Sequence, residues 1–417
     1  MKDILKIYRG LPKSIYILCS ATLINRLGDF VIPFLTLFFT KKLNMSVITI
    51  GVLVTCASLI SIPASMIGGK LSDHLGRKKV YLYGQGISGI LLIFCAFFSN
   101  QYLIIILIFA STFFNGFVRP VFGALLIDSL PSEKRESGIS LNYLCMNIGA
   151  SIGPIAAGLF FNKYLPLFFI GDGLTSLIAV VLVYIYIDDS YSEKLKIKKK
   201  EIDNTNELKG NGNIIDLFFK KPELAMFFAL FLIYQFVYSQ HKFMLPLTVN
   251  NALADKGPGV FGYMMSINAV TVVVFTIFIT SLLKKCPNLT SMAISGGCFA
   301  FGYGMLAFVN NTSGFFLSTF IWSIGEIICT ISAGVFIADN SPVNFRGRIN
   351  AVQNVIYWLG SSLSTLVAGV LVDSFGFTSI WIGIFIVAAI SAFLMYCLKI
   401  FYVKKEKGKK DIIGLET

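Results

Sequence analysis

Twelve stretches of mostly apolar residues, each about as long as a membrane crossing, run along this 417-residue chain and constrain its fold more than any other feature. A helix needs roughly 20 residues to cross a hydrocarbon layer about 30 Å thick, and inside that layer it must satisfy its own backbone polar groups. The stretches, spans 1 to 12, lie near 14–40, 46–69, 79–98, 102–128, 137–162, 165–187, 222–249, 259–283, 289–309, 314–338, 349–373 and 376–402. Composition agrees: 55% of residues are hydrophobic, only 14% are charged and the mean hydropathy is +0.75. Soluble domains carry roughly 25% charge. The expected class is an all-α polytopic membrane protein.

The spans divide six and six around a polar segment. The expected domains are a first bundle at 1–187, a linker at 188–221, a second bundle at 222–403 and a tail at 404–417. Within the linker, DDSYSEKLKIKKKEIDNTNELKGNGN reads as a solvated connection or, around Lys194 to Lys200, as a short basic helix on the membrane surface. The run starting at Ile15 is too long, and followed by too many others, to read as a cleaved signal peptide.

With twelve spans both ends fall on one side, and that side collects 28 of the 35 Lys and Arg residues against four on the other. Basic loops stay in the cytoplasm, so both termini and the linker are expected there, in a plasma membrane and most simply a bacterial inner membrane. The net charge of +13 is then a topology signal with some attraction to anionic lipid, and needs no nucleic-acid partner. The eight cysteines sit mostly inside spans without a CxxC pair, which fits small buried hydrophobes. With only His74 and His241 present, a histidine metal centre is improbable and no cofactor is expected.

An internal repeat carries more information. Asp128, Pro131, Arg135, Gly149 and Gly158 recur 211 residues later as Asp339, Pro342, Arg346, Gly360 and Gly369. Five identities at one offset, at matching points of spans 4–5 and 10–11, indicate a duplicated six-span unit. Parallel repeats of this kind place a binding site near the midplane, between the halves.

Between spans 2 and 3 stands Gly69-Lys-Leu-Ser-Asp73-His-Leu-Gly76-Arg77-Lys78-Lys79. This stretch resembles the G-x-L-x-D-x-x-G-R-K loop of the major facilitator superfamily. The twelve spans, the central linker and the repeat extend the resemblance over essentially the whole chain. It implies two pseudo-symmetric six-helix bundles and secondary active transport by alternating access. Gly68 and Gly69 are expected to let span 2 pack closely on a neighbour, and Gly76 to take a positive φ in a tight turn. Asp73 can face a helix N-terminus, and Arg77 can reach Asp128 at the end of span 4. The resemblance implies that Asp73, Arg77 and Asp128 latch one conformation; the plainer reading of the basic residues is a cytoplasmic marker.

In span 5, Gly149, Gly153, Pro154 and Gly158 resemble the G-x-x-x-G-P-x-x-x-G signature of the twelve-helix drug:proton antiporters, although Ser140 occupies the earlier position where a further glycine would sit. The small residues form a groove for a facing helix and Pro154 permits a bend, so tight packing alone is the other reading. The superfamily's span 4 motif, R-x-x-x-G, would require arginine four residues before Gly116, where Thr112 stands. The role of that arginine is therefore not carried over. Arg119 can serve a related purpose or pair with an acid.

Charges inside spans are costly unless paired or hydrated, so each is a functional candidate. Arg26 and Asp29 share a face of span 1; they neutralise one another, or Asp29 carries a proton or binds a cation. Glu326, half-way along span 10, maps by the repeat onto Asn115 of span 4 and is the first choice for a protonatable site. Asp172 in span 6 is either functional or a helix cap. In span 7, Tyr234, Tyr238, His241 and Lys242 approximate one face with Gln235 beside it. Arg26, Asn115, Arg119, Tyr234, Gln235 and Tyr238 are thus the expected cavity residues, though aromatic stripes also serve packing, and Lys242 can snorkel outward.

Together these features predict a monomeric, proton-coupled exporter of hydrophobic or amphipathic small molecules, its partners being the substrate, protons and the lipid bilayer. The alternative is an uptake symporter for a nutrient such as a sugar or peptide. A membrane enzyme or channel is disfavoured because no nucleophile motif, metal cluster or phosphate loop occurs.

Overall fold

The computed structural model describes residues 8–131, 134–187, 214–283, 286–342 and 345–413; within these, the side chains of 73, 136, 163, 214, 215, 346–348, 350, 351 and 405–413 are not described. Regular structure among the described residues is entirely helical: α1 Lys13–Leu27, α2 Val31–Lys41, α3 Val47–Leu75, α4 Arg77–Cys95, α5 Gln101–Asp128, α6 Arg135–Lys163, α7 Leu165–Tyr186, α8 Ile214–Lys220, α9 Pro222–Tyr238, α10 Met244–Leu253, α11 Gly257–Leu283, α12 Asn288–Gly304, α13 Thr312–Asn340 and α14 Arg346–Ile413. Inside α14, Gly376 at φ 72° separates two helical limbs. Nine helical stretches among the described residues are long and apolar enough to cross a membrane. Pro222–Leu283 and Val352–Lys404 each hold two of the predicted spans. With Arg77–Cys95, the nine stretches account for twelve crossings.

Most boundaries fall within a few residues of the expectation. Two spans differ in kind. Span 1 is broken between α1 and α2, and span 7 between α9 and α10, where Ser239–His241 forms a 3-10 turn. Of the predicted linker, 188–213 lie outside the described residues and Ile214–Lys220 is helical. The predicted tail is helical as far as Ile413, and 414–417 lie outside the described residues.

The repeat governs the backbone as well as the sequence. Helices α4, α5 and α6 start at Arg77, Gln101 and Arg135; 211 residues on, α12, α13 and α14 start at Asn288, Thr312 and Arg346. The duplicated start signal is visible at α5 and α13. Asn100 Oδ1 accepts from Tyr102 N at 2.9 Å, and its counterpart Asn311 Oδ1 accepts from Gly314 N at 2.7 Å. Each amide caps backbone donors that a helix start leaves unpaired.

The chain forms two compact units, Met1–Glu207 with Val249–Val270, and Leu208–Thr248 with Thr271–Thr417. Without water to expel, helices in lipid associate through close packing and polar contacts, and this explains what fills each unit. In the first, Leu18 and Ala21 of α1 pack with Ala64, Tyr81, Val121, Leu125 and Val183. Near α2, the Phe34 ring lies edge-on to Phe168 at 6.1 Å and to Phe261 at 5.2 Å. In the second, Val272 and Ile279 of α11 pack on Ile327 and Ile328 of α13.

Candidate functional site

The loop at 69–79 folds as its residue types dictate. Helix α3 stops because Gly76 takes φ 92°, a conformation that L side chains rarely adopt, and α4 begins at the next residue. That turn sets Arg77 beside the end of α5, where its Nη1 pairs with Asp128 Oδ2 and donates to Ala124 O at 2.9 Å. The cation lies against the C-terminal carbonyls of α5, where a helix favours positive charge. Asp73 occupies the last turn of α3, and its side chain lies outside those described. Close packing here belongs to Gly68, whose α-carbon abuts the backbone of Phe117 on α5. Gly69, expected to share that role, faces open space because it points to the other side of α3.

The span 5 motif lies on α6, which remains helical through Pro154. A Cβ at Gly153 would stand 2.7 Å from Arg26 O and 3.0 Å from Leu27 O, so this glycine admits the backbone of α1. Gly149 abuts Arg26 as well. At the far end, Gly158 meets Pro258 and Gly259, and Gly262 meets Pro154, so the early turns of α11 pack on α6 within the first unit. The motif is a strip over which two other backbones approach.

At the break in span 1, Arg26 Nη1 and Asp29 Oδ2 form an ion pair at 2.5 Å. Asp172 of α7 is 6% exposed and accepts from Phe30 N at 3.1 Å and Val31 N at 2.9 Å, so its carboxylate caps α2. This favours the capping alternative raised by the sequence. Gly28 lets the break nest against Thr175 on the same helix. Below it, Asn25 and Gln85 both donate to Ser176 Oγ, at 3.0 and 2.8 Å. On α5, Asn115 and Arg119 are exposed from the first unit.

The break in span 7 uses different chemistry in the second unit. Tyr238 ends α9, and its hydroxyl donates to Glu326 Oε1 at 2.6 Å. The Tyr238 carbonyl accepts from Tyr303 OH at 3.0 Å and from His241 Nδ1 at 2.6 Å, which assigns the Nδ1–H tautomer. Four rings stack in a column beside the break: His241 on Trp322 at 5.6 Å, Trp322 on Tyr303 at 5.7 Å, and Tyr303 on Trp381 at 5.8 Å. Lys242 is exposed and donates to Tyr357 OH of α14 at 2.9 Å. Tyr234 does not line an open face: it is 1% exposed and its hydroxyl is spent on Met292 O at 2.7 Å. Gln235 is buried where Gly360 of α14 abuts it.

Several buried polar atoms around this break lack a hydrogen-bond partner among the described residues: Gln235 Oε1, on a residue the sequence had singled out, and Ser239 Oγ, both amide atoms of Gln240 and Trp322 Nε1, which sequence reasoning missed. Such groups require water or a ligand. The column and the polar seam left no local signal, because each draws on several helices: His241 stacks on Trp322, 81 positions away, and Tyr303 on Trp381, 78 positions away.

The sequence model of the Major Facilitator Superfamily matches residues 18–365 and 254–416. The chain belongs to this superfamily. Among curated relatives, an MFS-type transporter of Bacillus subtilis (strain 168), YqjV, is 23% identical over 83% of this chain and 82% of its own length. The Na(+), Li(+), K(+)/H(+) antiporter of Planococcus maritimus is 20% identical over 90% of this chain and 93% of its own. Among solved structures, the nucleoside transporter NupG superposes with a TM-score of 0.76 at 15% identity, covering 93% of this chain and 99% of that one. A POT family transporter gives 0.75 at 14% identity, covering 93% and 96%. At such identities the structures establish the fold alone. This superfamily member is therefore a multi-pass membrane transporter.

Proposed function

We propose that this transporter is a secondary active exporter, coupling proton entry to efflux of hydrophobic or amphipathic small molecules by alternating access. The observation that carries the reading is the Tyr238–Glu326 hydrogen bond: an acid half-way along a membrane span is held against the break of a neighbouring helix. Discontinuous helices mark the sites of many transporters, and a buried acid at such a point is a natural proton carrier. Asp29 is the second candidate carrier, partnered by Arg26. The span 5 motif supports export over uptake. Tyr238, Asn115, Arg119, Arg26 and Gln235 are assigned to the substrate path, and Asp73, Arg77 and Asp128 to the latch. Both termini are placed in the cytoplasm, and the unit of transport is a monomer.

Purified protein in proteoliposomes with an imposed pH gradient tests this. A fluorescent amphipathic dye should move against its concentration gradient, driven by proton movement in the opposite direction. Glu326→Gln should lose gradient-driven flux while retaining dye exchange at equal pH. If Glu326→Gln pumps the dye at the native rate, the carrier assignment is wrong.

A second reading, exchange of alkali cations for protons, is favoured by the likeness to the Planococcus antiporter. Replacing the dye with sodium or potassium in the same vesicles separates the two, since only an alkali-cation exchanger would move protons in response.

A further inference from the structure

Helix α5 has three faces, and two are covered within the first unit. Gly116 abuts Ala64 and Phe117 abuts Gly68, both on α3. Gly84 of α4 lies against Phe114 and Val118, and Ser88 of α4 hydrogen-bonds Ser111 at 2.8 Å. The third face carries Asn115, Arg119 and Gly123 at four-residue steps, a single stripe. Asn115 and Arg119 are exposed, and the space beside Gly123 is open. An asparagine and an arginine in the same stripe of a membrane span face a hydrated path rather than lipid.

Arg119 differs from the other charges inside the spans of this unit. Arg26 pairs with Asp29, and Asp172 is satisfied by two backbone N–H groups. Arg119 has no ion pair or hydrogen bond among the described residues. The stripe also has a counterpart: 211 residues on stand Glu326, Thr330 and Gly334 of α13. Thr330 is exposed and the space beside Gly334 is open, so the second unit presents the same stripe with an acid at its first position.

We infer that the substrate is an amphipathic organic anion, an apolar body bearing one acidic oxyanion group such as a carboxylate, which pairs with the Arg119 guanidinium. This rests on the reading of the protein as an exporter of amphipathic molecules and names their charge. A guanidinium presents parallel N–H donors that match the two oxygens of a carboxylate, and it keeps its charge at any physiological pH. An uncompensated cation in this stripe gains a partner only when an anion arrives, and so a cationic substrate is repelled.

The test uses three dansyl-alkyl probes of one chain length ending in a carboxylate, a trimethylammonium or a primary amide, titrated against the full-length protein in nanodiscs of zwitterionic lipid. The carboxylate should bind at least tenfold tighter than the ammonium. Arg119→Gln should bring the carboxylate down to the affinity of the amide without changing the amide. Arg119→Lys, which keeps charge but loses the fork, should fall between; it also serves if Arg119→Gln lowers the melting temperature. Tighter binding of the ammonium, or equal loss of all three probes in both variants, overturns the inference. So does competition by phosphatidylglycerol added to the nanodiscs, which would assign Arg119 to a lipid headgroup. The titration is run without a proton gradient, so loss of the carboxylate preference fails the anion site alone, whereas absence of proton-driven flux with this preference retained fails the coupling alone.

Discussion

Replacing Asp172 tests whether the break in span 1 is held by its carboxylate. The side chain is 6% exposed and accepts from Phe30 N at 3.1 Å and Val31 N at 2.9 Å. In Asp172→Ala both N–H groups lose their acceptor in a place water reaches poorly. Each such loss costs about 1–3 kcal/mol, and removing negative charge from the start of α2 adds about 0.5 kcal/mol. The total is about 2.5–6.5 kcal/mol, centred near about 4.5 kcal/mol. At about 2–4 °C per kcal/mol for a unit of this size, the melting temperature should fall by about 13 °C at the centre of that range. Asp172→Asn keeps an oxygen in the same place and gives up only the charge, so it should lose about 1–2 kcal/mol, or about 4 °C. Thermal unfolding of the detergent-solubilised protein, followed by tryptophan fluorescence, reads both. An alanine variant as stable as the native protein, or asparagine and alanine variants equally destabilised, would refute the cap.

Three further outcomes follow from the same geometry. Arg77→Ala and Asp128→Ala combined in a double-mutant cycle should show a coupling of about 1 kcal/mol in thermal stability, because the pair is only partly buried, at 30% and 13% exposure; the charge-swapped pair should recover part of the transport that either single variant loses. Gly153→Ala should destabilise by about 1–3 kcal/mol, since its Cβ would stand 2.7 Å from the Arg26 carbonyl, whereas Gly69→Ala, facing open space, should stay within about 0.5 kcal/mol of native on the same melting assay. Tyr238→Phe removes the hydroxyl from Glu326 and should slow pH-driven dye flux several-fold while leaving dye binding within about twofold, measured in proteoliposomes and by fluorescence titration.

Which of these features the sequence disclosed follows from how local each one is. Spans could be read because the bilayer sets their length, and the Arg77–Asp128 pair because a recognisable loop places one partner at a helix start and the other at a helix end. Tyr238 and Glu326 were both singled out, yet their hydrogen bond joins residues 88 positions apart and depends on how α9 packs against α13. The breaks went unread for a different reason. Residues 28–30 and 239–241 sit inside long apolar runs, and hydropathy measures the cost of placing a segment in lipid, not the continuity of its helix. Gly28-Asp29 was a local hint in the first; Ser239-Gln240-His241 contains neither glycine nor proline. Tyr234 shows a different limit: it does share the face of Tyr238, both rings lying against Phe299, but that face is packed there, and Gly296 on α12 leaves a notch that takes the Tyr234 hydroxyl.

The two breaks also bear on how a duplicated fold is maintained. Helix α1 ends at Leu27 and α9 at Tyr238, the same point 211 residues apart, so the interruption belongs to the repeated backbone. The side chains that stabilise it have nevertheless diverged. In the first unit a carboxylate from α7 caps the donors that the new helix exposes; in the second, ring hydroxyl and imidazole donors close on the carbonyl where the old helix ends. These solutions satisfy opposite ends of the same gap, donors in one case and an acceptor in the other. If the break itself is what transport requires, either repair suffices and the side chains are free to drift. Then Tyr303→Phe, which removes one donor to the Tyr238 carbonyl but keeps the ring in its column, should cost about 1 kcal/mol of stability and leave transport intact. Tyr303→Ala, which opens the column between Trp322 and Trp381, should cost about 3–5 kcal/mol and impair both. Equal effects of the two variants in the melting and dye-flux assays would show that the hydroxyl, and not the stack, holds the second break.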